Sequence, residues 1–136
     1  MEMLSGIIAA PSVSSVSPEF DMSNHTAASR VAGWLEALGF AVELQEIPGF
    51  HRKFNVIGTL GKGPGGLVLA GHIDTVPCNE DRWDSNPFLL TERDGQLHGL
   101  GICDMKGFIP LAIEPAARCA GRRLAQPMII RATADE

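Results

Sequence analysis

The sequence predicts an α/β or α+β domain in which a sheet is layered with helices. Three observations point there. Apolar residues recur at helical spacing in separate stretches, short runs elsewhere are alternating or continuously apolar, and Gly, Pro and Asp punctuate them at turn positions. Sheet order is not recoverable by pattern alone.

Residues 1–10 read as a short amphipathic helix (Met3, Leu4, Ile7, Ile8), stopped by Pro11 and a Ser-rich loop. Residues 26–38 put Ala27, Ala28, Val31, Trp34, Leu35 and Leu38 on one face, with Ser23 or Asn24 as N-cap and Gly39 as the C-terminal stop. Residues 40–47 alternate through Phe40, Val42 and Leu44 as a half-buried strand, and residues 53–60 form a further strand. Gly61-Lys62-Gly63-Pro64-Gly65-Gly66 carries the letters of a dinucleotide fingerprint, but that motif needs a following helix to receive the pyrophosphate. Residues 67–71 are instead short and continuously apolar, a buried strand, so the glycines read as a hairpin turn and no nucleotide site is inferred.

Residues 72–87 are loop-like, and strands at 88–92 and 96–100 flank the turn Asp94-Gly95. A helix starts after Asp104, with Phe108, Leu111, Ala112 and Ala116 among its apolar positions. Pro110 is tolerated near a helix start, whereas Pro115 in the interior costs on the order of 3 kcal/mol or a kink, so this helix is expected to be broken or short. Residues 127–133 form an apolar strand ahead of Glu136.

At 136 residues and 45% hydrophobic content the chain can bury a core and is not disordered. Eleven Lys plus Arg against sixteen Asp plus Glu give a net charge of −5, which lacks the electrostatic footprint of a nucleic-acid binder. No apolar run suits a membrane helix, and no Lys or Arg precedes Arg30 to start a signal peptide, so a cytoplasmic location is expected. Cys78, Cys103 and Cys119 form no CxxC pair and fit a reducing compartment as plain thiols.

Four residues could carry chemistry. His72 and Asp74 follow a strand two positions apart, so their side chains point to the same side, either as a satisfied pair or in a shared pocket at the carboxyl end of a strand. Asp104 stands at a helix start, where capping alone would explain an acidic residue. Glu136 ends a strand on the side where sites collect, or is a solvated charge. Together an imidazole and several carboxylates are the donor types that hold a catalytic zinc ion or a zinc pair, and a free glutamate is the group that takes a proton from an activated water.

Gly71-His72-Ile73-Asp74-Thr75-Val76-Pro77, then Trp83 with Asn86-Pro87-Phe88, Asp94-Gly95-Gln96-Leu97-His98-Gly99-Leu100-Gly101, Asp104-Met105-Lys106-Gly107-Phe108 and Ala132-Thr133-Ala134-Asp135-Glu136 resemble, in order and spacing, the di-zinc amidohydrolases. That family includes acetylornithine deacetylase, succinyl-diaminopimelate desuccinylase, carboxypeptidase G and aminoacylase, and the Gly-Leu-Gly and Ala-Thr-Ala-Asp-Glu segments look most like the first of these. The resemblance implies an α/β fold, a partial three-layer catalytic domain with a mixed sheet and helices on both faces. Residues 1–136 would be its N-terminal portion, with the remaining catalytic domain and an inserted dimerisation domain outside it.

By the same resemblance His72 is a ligand of one zinc, Asp74 tunes that imidazole, Asp104 bridges two zinc ions, and Glu136 is the general base; cobalt is an alternative metal. Lys106 and Gly107 shape the turn and helix start, and His98 is structural. The implied partner is a small-molecule N-acylated amino acid, and family members are homodimers. The implied reaction is hydrolysis of N-acetyl-L-ornithine to ornithine and acetate in arginine synthesis. Desuccinylase or metallo-carboxypeptidase activity of the same family, and a non-catalytic truncated interaction fragment, are the alternatives. The family's next glutamate ligand, a later carboxylate ligand and a distant histidine ligand are not among the 136 residues, so the chain alone is expected to be inactive. Without the strands that follow in the family, the strand at 127–133 is expected to leave an uncovered edge.

Overall fold

The N-terminal amphipathic pattern becomes α1 (Glu2–Ile8) in the computed structural model, which describes residues 1–50 and 52–134. Ile7 and Ile8 are fully buried. The second pattern becomes α2 (His25–Ala37), which buries Ala27, Ala28, Val31 and Leu35 along one stripe. Asn24 occupies the N-cap position, yet its side chain does not cap the helix. Its Nδ2 donates to the Phe54 carbonyl at 2.9 Å and its Oδ1 accepts from the Phe54 N–H at 2.8 Å, while the Ser23 hydroxyl accepts the His25 N–H at 3.1 Å. The buried Asn24 amide therefore ties the start of α2 to the sheet, and Ser23, one residue before the cap position, satisfies the first helical N–H.

The strands are β1 (Ala41–Glu46), β2 (Phe54–Leu60), β3 (Leu67–His72), β4 (Thr91–Arg93), β5 (Gln96–His98) and β6 (Met128–Thr133). β4 and β5 pair as the hairpin read from Asp94-Gly95, both of which have positive φ (54° and 72°) as a type I′ turn requires. The other four form one sheet in the order β1-β2-β6-β3, with β2 antiparallel to β1 and β6, and β3 parallel to β6.

Insertion of β6 between β2 and β3 corrects three expectations at once. The glycines at 61–66 make no hairpin turn, because the strands they join do not pair. They carry the chain across the end of β6: Gly66 sits at φ +112°, where a Cβ would collide with the Pro127 carbonyl oxygen. β3, expected to be buried, lies at an edge, with Leu67 and Val68 exposed by 52% and 55%. Among the described residues the edge strands of this sheet are accordingly β1 and β3, whereas β6 is an inner strand. β1 is more exposed than its alternation suggested, with Val42 partly buried and Leu44 exposed.

α3 (Phe108–Ala117) is short, as expected, but unbroken. Pro110 falls in its first turn and Pro115 on its exposed side, so the helix still buries Ile109, Ala112, Ile113 and Ala116. All three helices join one apolar core against the sheet face that carries Val56, Ile130 and Ala132. Gly71 in β3 makes this approach close, since a Cβ there would stand 2.7 Å from the Phe108 ring. The α/β class and the mixed sheet match the expectation, and the described helices fill one helix layer. Ile57, Thr59 and Ile129 on the opposite face are half-buried. No helix among the described residues is long and apolar enough to cross a membrane.

Candidate metal centre

β3 ends at His72, and the backbone continues extended through Thr75 because the segment after α1 runs beside it. The Ser12 hydroxyl donates to the Ile73 carbonyl at 2.6 Å, the Thr75 N–H donates to Ser12 O at 3.2 Å, and the Ser14 N–H donates to Thr75 O at 2.9 Å. Val13 and Thr75 form a parallel bridge, and the Ile73 N–H is held by Thr133 O at 2.9 Å. With Ile73 buried in the core on one side, His72 and Asp74 share the other.

The His72 ring lies between two carboxylates of opposite exposure. Its Nδ1 is 3.2 Å from the Asp74 carbonyl oxygen and 3.3 Å from Asp74 Oδ1, and its Nε2 is 3.1 Å from Asp104 Oδ1. The Asp74 side chain is fully buried, whereas the Asp104 side chain is 84% exposed. Neither Asp74 carboxylate oxygen makes a well-directed hydrogen bond among the described residues, and the acceptor that faces His72 Nδ1 is the Asp74 carbonyl.

Asp104 is delivered by a tight turn and not by a helix cap. α3 begins at Phe108 with Gly107 in the N-cap position and no side-chain cap, which removes the capping alternative for Asp104. The Asp104–Met105 peptide is cis. The Gly107 N–H donates to Gly101 O at 3.3 Å, and the absence of a Cβ at Gly107 leaves room for the Ile102 carbonyl oxygen.

This donor set suits a metal. A neutral imidazole with its proton on Nδ1, toward Asp74, turns a lone pair on Nε2 toward the Asp104 carboxylate, and two acceptors then face each other at 3.1 Å. A cation between them resolves that opposition. Two ligands about 2.0–2.1 Å from a tetrahedral zinc ion are about 3.4 Å apart, close to the separation found. A carboxylate behind the other ring nitrogen is the usual support for a histidine ligand. Among the described residues no three His, Cys, Asp or Glu groups converge, so His72 and Asp104 make a two-donor site. Glu136 lies outside the described residues. Two positions before it, the Ala134 N–H is held by Asn55 Oδ1 at 3.0 Å.

Two buried lysines around the site gave no local signal of their surroundings. Lys106, 1% exposed, donates to Ala10 O at 2.7 Å and to Ser12 Oγ at 3.0 Å. Burial lowers its pKa to about 8, an effect partly offset by the Asp74 carboxylate and reinforced by Arg30. Lys53, also 1% exposed, ion-pairs with Asp21 Oδ1 at 2.9 Å and donates to Ser14 Oγ at 2.9 Å and Val13 O at 3.2 Å. A cavity of about 380 Å³ is lined by Ser14, Asp21, Lys53 and Asp74, and one of about 300 Å³ by Trp83, Gly101, Cys103 and Asp104; they share Thr75 and Val76. The three cysteines are free thiols, with Cys103 exposed and the other two partly buried. Burial, and then Glu80, push the Cys78 thiol pKa up.

The chain is 48% identical over all its 136 residues to the acetylornithine deacetylase of Pasteurella multocida (strain Pm70) and 46% identical to that of Proteus mirabilis (strain HI4320). It covers 36% and 35% of those proteins, so it spans about a third of the length of the curated relatives it matches. Among solved structures, human carnosine dipeptidase 1 superposes with a TM-score of 0.77 at 24% identity, covering 98% of this chain and 31% of that one. The M20 family metallo-carboxypeptidase Sso-CP2 of Sulfolobus solfataricus gives 0.80 at 18% identity, covering 98% and 30%. These likenesses show the fold. The model of Peptidase family M20/M25/M40 matches residues 68–136, a span that runs from β3 through His72, Asp74 and Asp104 to Glu136. The chain belongs to that family.

Proposed function

We propose that residues 1–136 form the N-terminal portion of the catalytic domain of a metal-dependent amidohydrolase that converts N-acetyl-L-ornithine and water to ornithine and acetate. The observation that carries the reaction class is the His72 ring held between buried Asp74 and exposed Asp104. The choice of substrate is supported by 45–48% identity to four acetylornithine deacetylases across the whole chain.

His72 Nε2 and the Asp104 carboxylate are the groups that hold the metal, which we take to be zinc, with two ions in the complete site and cobalt as a substitute. When bound, the metal supplies Lewis-acid activation of the water and of the amide carbonyl. Asp74 keeps the His72 proton on Nδ1 and the ring in place, so that Nε2 stays available. Glu136, by its position in the motif, is the general base. It takes the proton of the water that attacks the carbonyl carbon, and returns it to the departing amine as the C–N bond breaks.

The product assigns the enzyme to arginine synthesis. The free thiols fit the reducing cytoplasm. Homodimerisation, through a domain outside these residues, belongs to the same reading. Assay of the full-length protein with N-acetyl-L-ornithine, N-succinyl-diaminopimelate and a dipeptide tests the substrate. The highest kcat/KM is expected on the first. A marked preference for the second or third assigns the chain to a desuccinylase or a peptidase, and no turnover of any of them overturns the amidohydrolase reading.

A further inference from the structure

The two proposed ligands sit on segments far apart in sequence, and one small cluster joins those segments from behind. The Ser12 hydroxyl donates its proton to the Ile73 carbonyl, between His72 and Asp74, at 2.6 Å, and accepts from Lys106 Nζ at 3.0 Å. Lys106 is two residues beyond Asp104 and also reaches Ala10 O at 2.7 Å. Ser12 and Lys106 are 0% and 1% exposed, so water does not compete for these bonds. The packing around the cluster is close: a Cβ at Gly101 would stand 2.9 Å from Lys106 Cδ and 2.7 Å from Thr75 Cγ2, so the turn that carries Asp104 packs directly on the lysine stem.

Asp104 itself has no such restraint, since its side chain is 84% exposed and its described contact is with His72. Its place relative to the imidazole comes from its backbone, which is held within the turn by the Gly107 N–H on Gly101 O and anchored to the Ser12 segment by Lys106. A carboxylate displaced by even 1 Å no longer shares an ion with His72, because metal–ligand distances tolerate only about 0.2 Å.

We propose that Ser12 and Lys106 are a positioning pair that sets the separation of His72 Nε2 and Asp104, with the Ser12 hydroxyl hydrogen-bonded to both ligand segments at once. The proposal rests on the reading of His72 and Asp104 as metal ligands. Neither member touches the metal; each acts through the backbone it holds.

The test is titration of Co²⁺ into the metal-free full chain and its S12A, K106M, S12A/K106M and H72A forms. The visible absorption of the bound ion is the readout of ligand geometry, and thermal melting of the metal-free forms is followed alongside. S12A and K106M are each expected to weaken Co²⁺ binding about tenfold and to shift its absorption bands, with the double variant weakened no further than the worse single one, because the pair acts as a unit. A folded S12A with unchanged bands and affinity within twofold of the parent overturns the proposal, as do single effects that multiply to about a hundredfold in the double variant. If K106M fails to fold, S12A alone decides by the same criterion. H72A separates the two levels. Co²⁺ binding that survives H72A with the parent's spectrum refutes the metal site itself, whereas loss in H72A with none in S12A refutes only the positioning pair.

Discussion

Exposure divides the labour among the charged side chains. Asp104 is open to solvent and close to His72 Nε2, so it can share an incoming cation, while Asp74, fully buried, acts on the ring from behind and on the nearby Lys106 ammonium. In the full-length protein H72A and D104A are each expected to lower kcat/KM by at least about a thousandfold, or 4 kcal/mol of transition-state stabilisation. C103A, next in sequence but exposed and outside these contacts, is expected to stay within about twofold. Steady-state kinetics on the three variants checks this, and retained activity in either of the first two removes the metal assignment. Lys53 makes a different kind of prediction, about stability. K53M leaves the buried Val13 carbonyl and the Ser14 hydroxyl without their donor, and Asp21, already 25% exposed, turns to water. The cost is expected at about 2 kcal/mol in urea denaturation, below the 3–5 kcal/mol typical of a fully buried pair, because one partner can be resolvated. His72, Asp74 and Asp104 were legible as residue types at meaningful spacings. Ser12, Lys53 and Asn55 were not, and Asn24 was legible only as a helix cap, since a hydroxyl, an amide or an ammonium that satisfies a distant backbone group leaves no periodic trace.

At the scale of elements, period and punctuation were enough where a segment's partner is local. The Asp94-Gly95 hairpin and the buried stripe of α2 both follow from a few neighbouring residues. They were insufficient where the partner comes from elsewhere in the chain. Glycines 61–66 have the composition of a tight turn, but β6 arrives after the intervening loops and α3 to separate the two strands, which converts an apparent hairpin into a crossing. Pro115 shows the same limit in a helix. Its pyrrolidine removes one N–H, yet the acceptor it abandons belongs to Leu111, which is 71% exposed, on the side of the helix where solvent can take the place of the lost donor. P115A is therefore expected to stabilise the chain by only about 1 kcal/mol, below the 3 kcal/mol of a buried helix interior, with the lost rigidity of the unfolded chain subtracting a few tenths. Thermal and urea unfolding of the two forms decide. Destabilisation by more than about 0.5 kcal/mol would mean that the ring packs usefully against its neighbours and that the exposed-side reading of α3 is mistaken.

For the molecule as a whole, the sheet and the site are one construction. β6 pairs in parallel with β3, which brings the carboxyl ends of both strands to the same side of the sheet, where His72 stands opposite Thr133. The turn that carries Asp104 then closes onto this end through α3, whose first residue packs on Gly71. A metal held by His72 and Asp104, as proposed, would join a strand end to a helix-leading turn, and its binding energy would add to folding stability because the unfolded chain does not keep the two donors together. At a free metal concentration one hundred times its Kd, the gain is about 2.7 kcal/mol, which for a domain of this size raises Tm by roughly 10 °C. Differential scanning of the chain with Co²⁺ or Zn²⁺ should show that rise and its reversal by a chelator, while H72A, still folded, should show little of either. An equal rise in the parent and in H72A would mean that the ion binds elsewhere, to the exposed carboxylates or the Cys103 thiol, and that the end of the sheet is not where the metal sits.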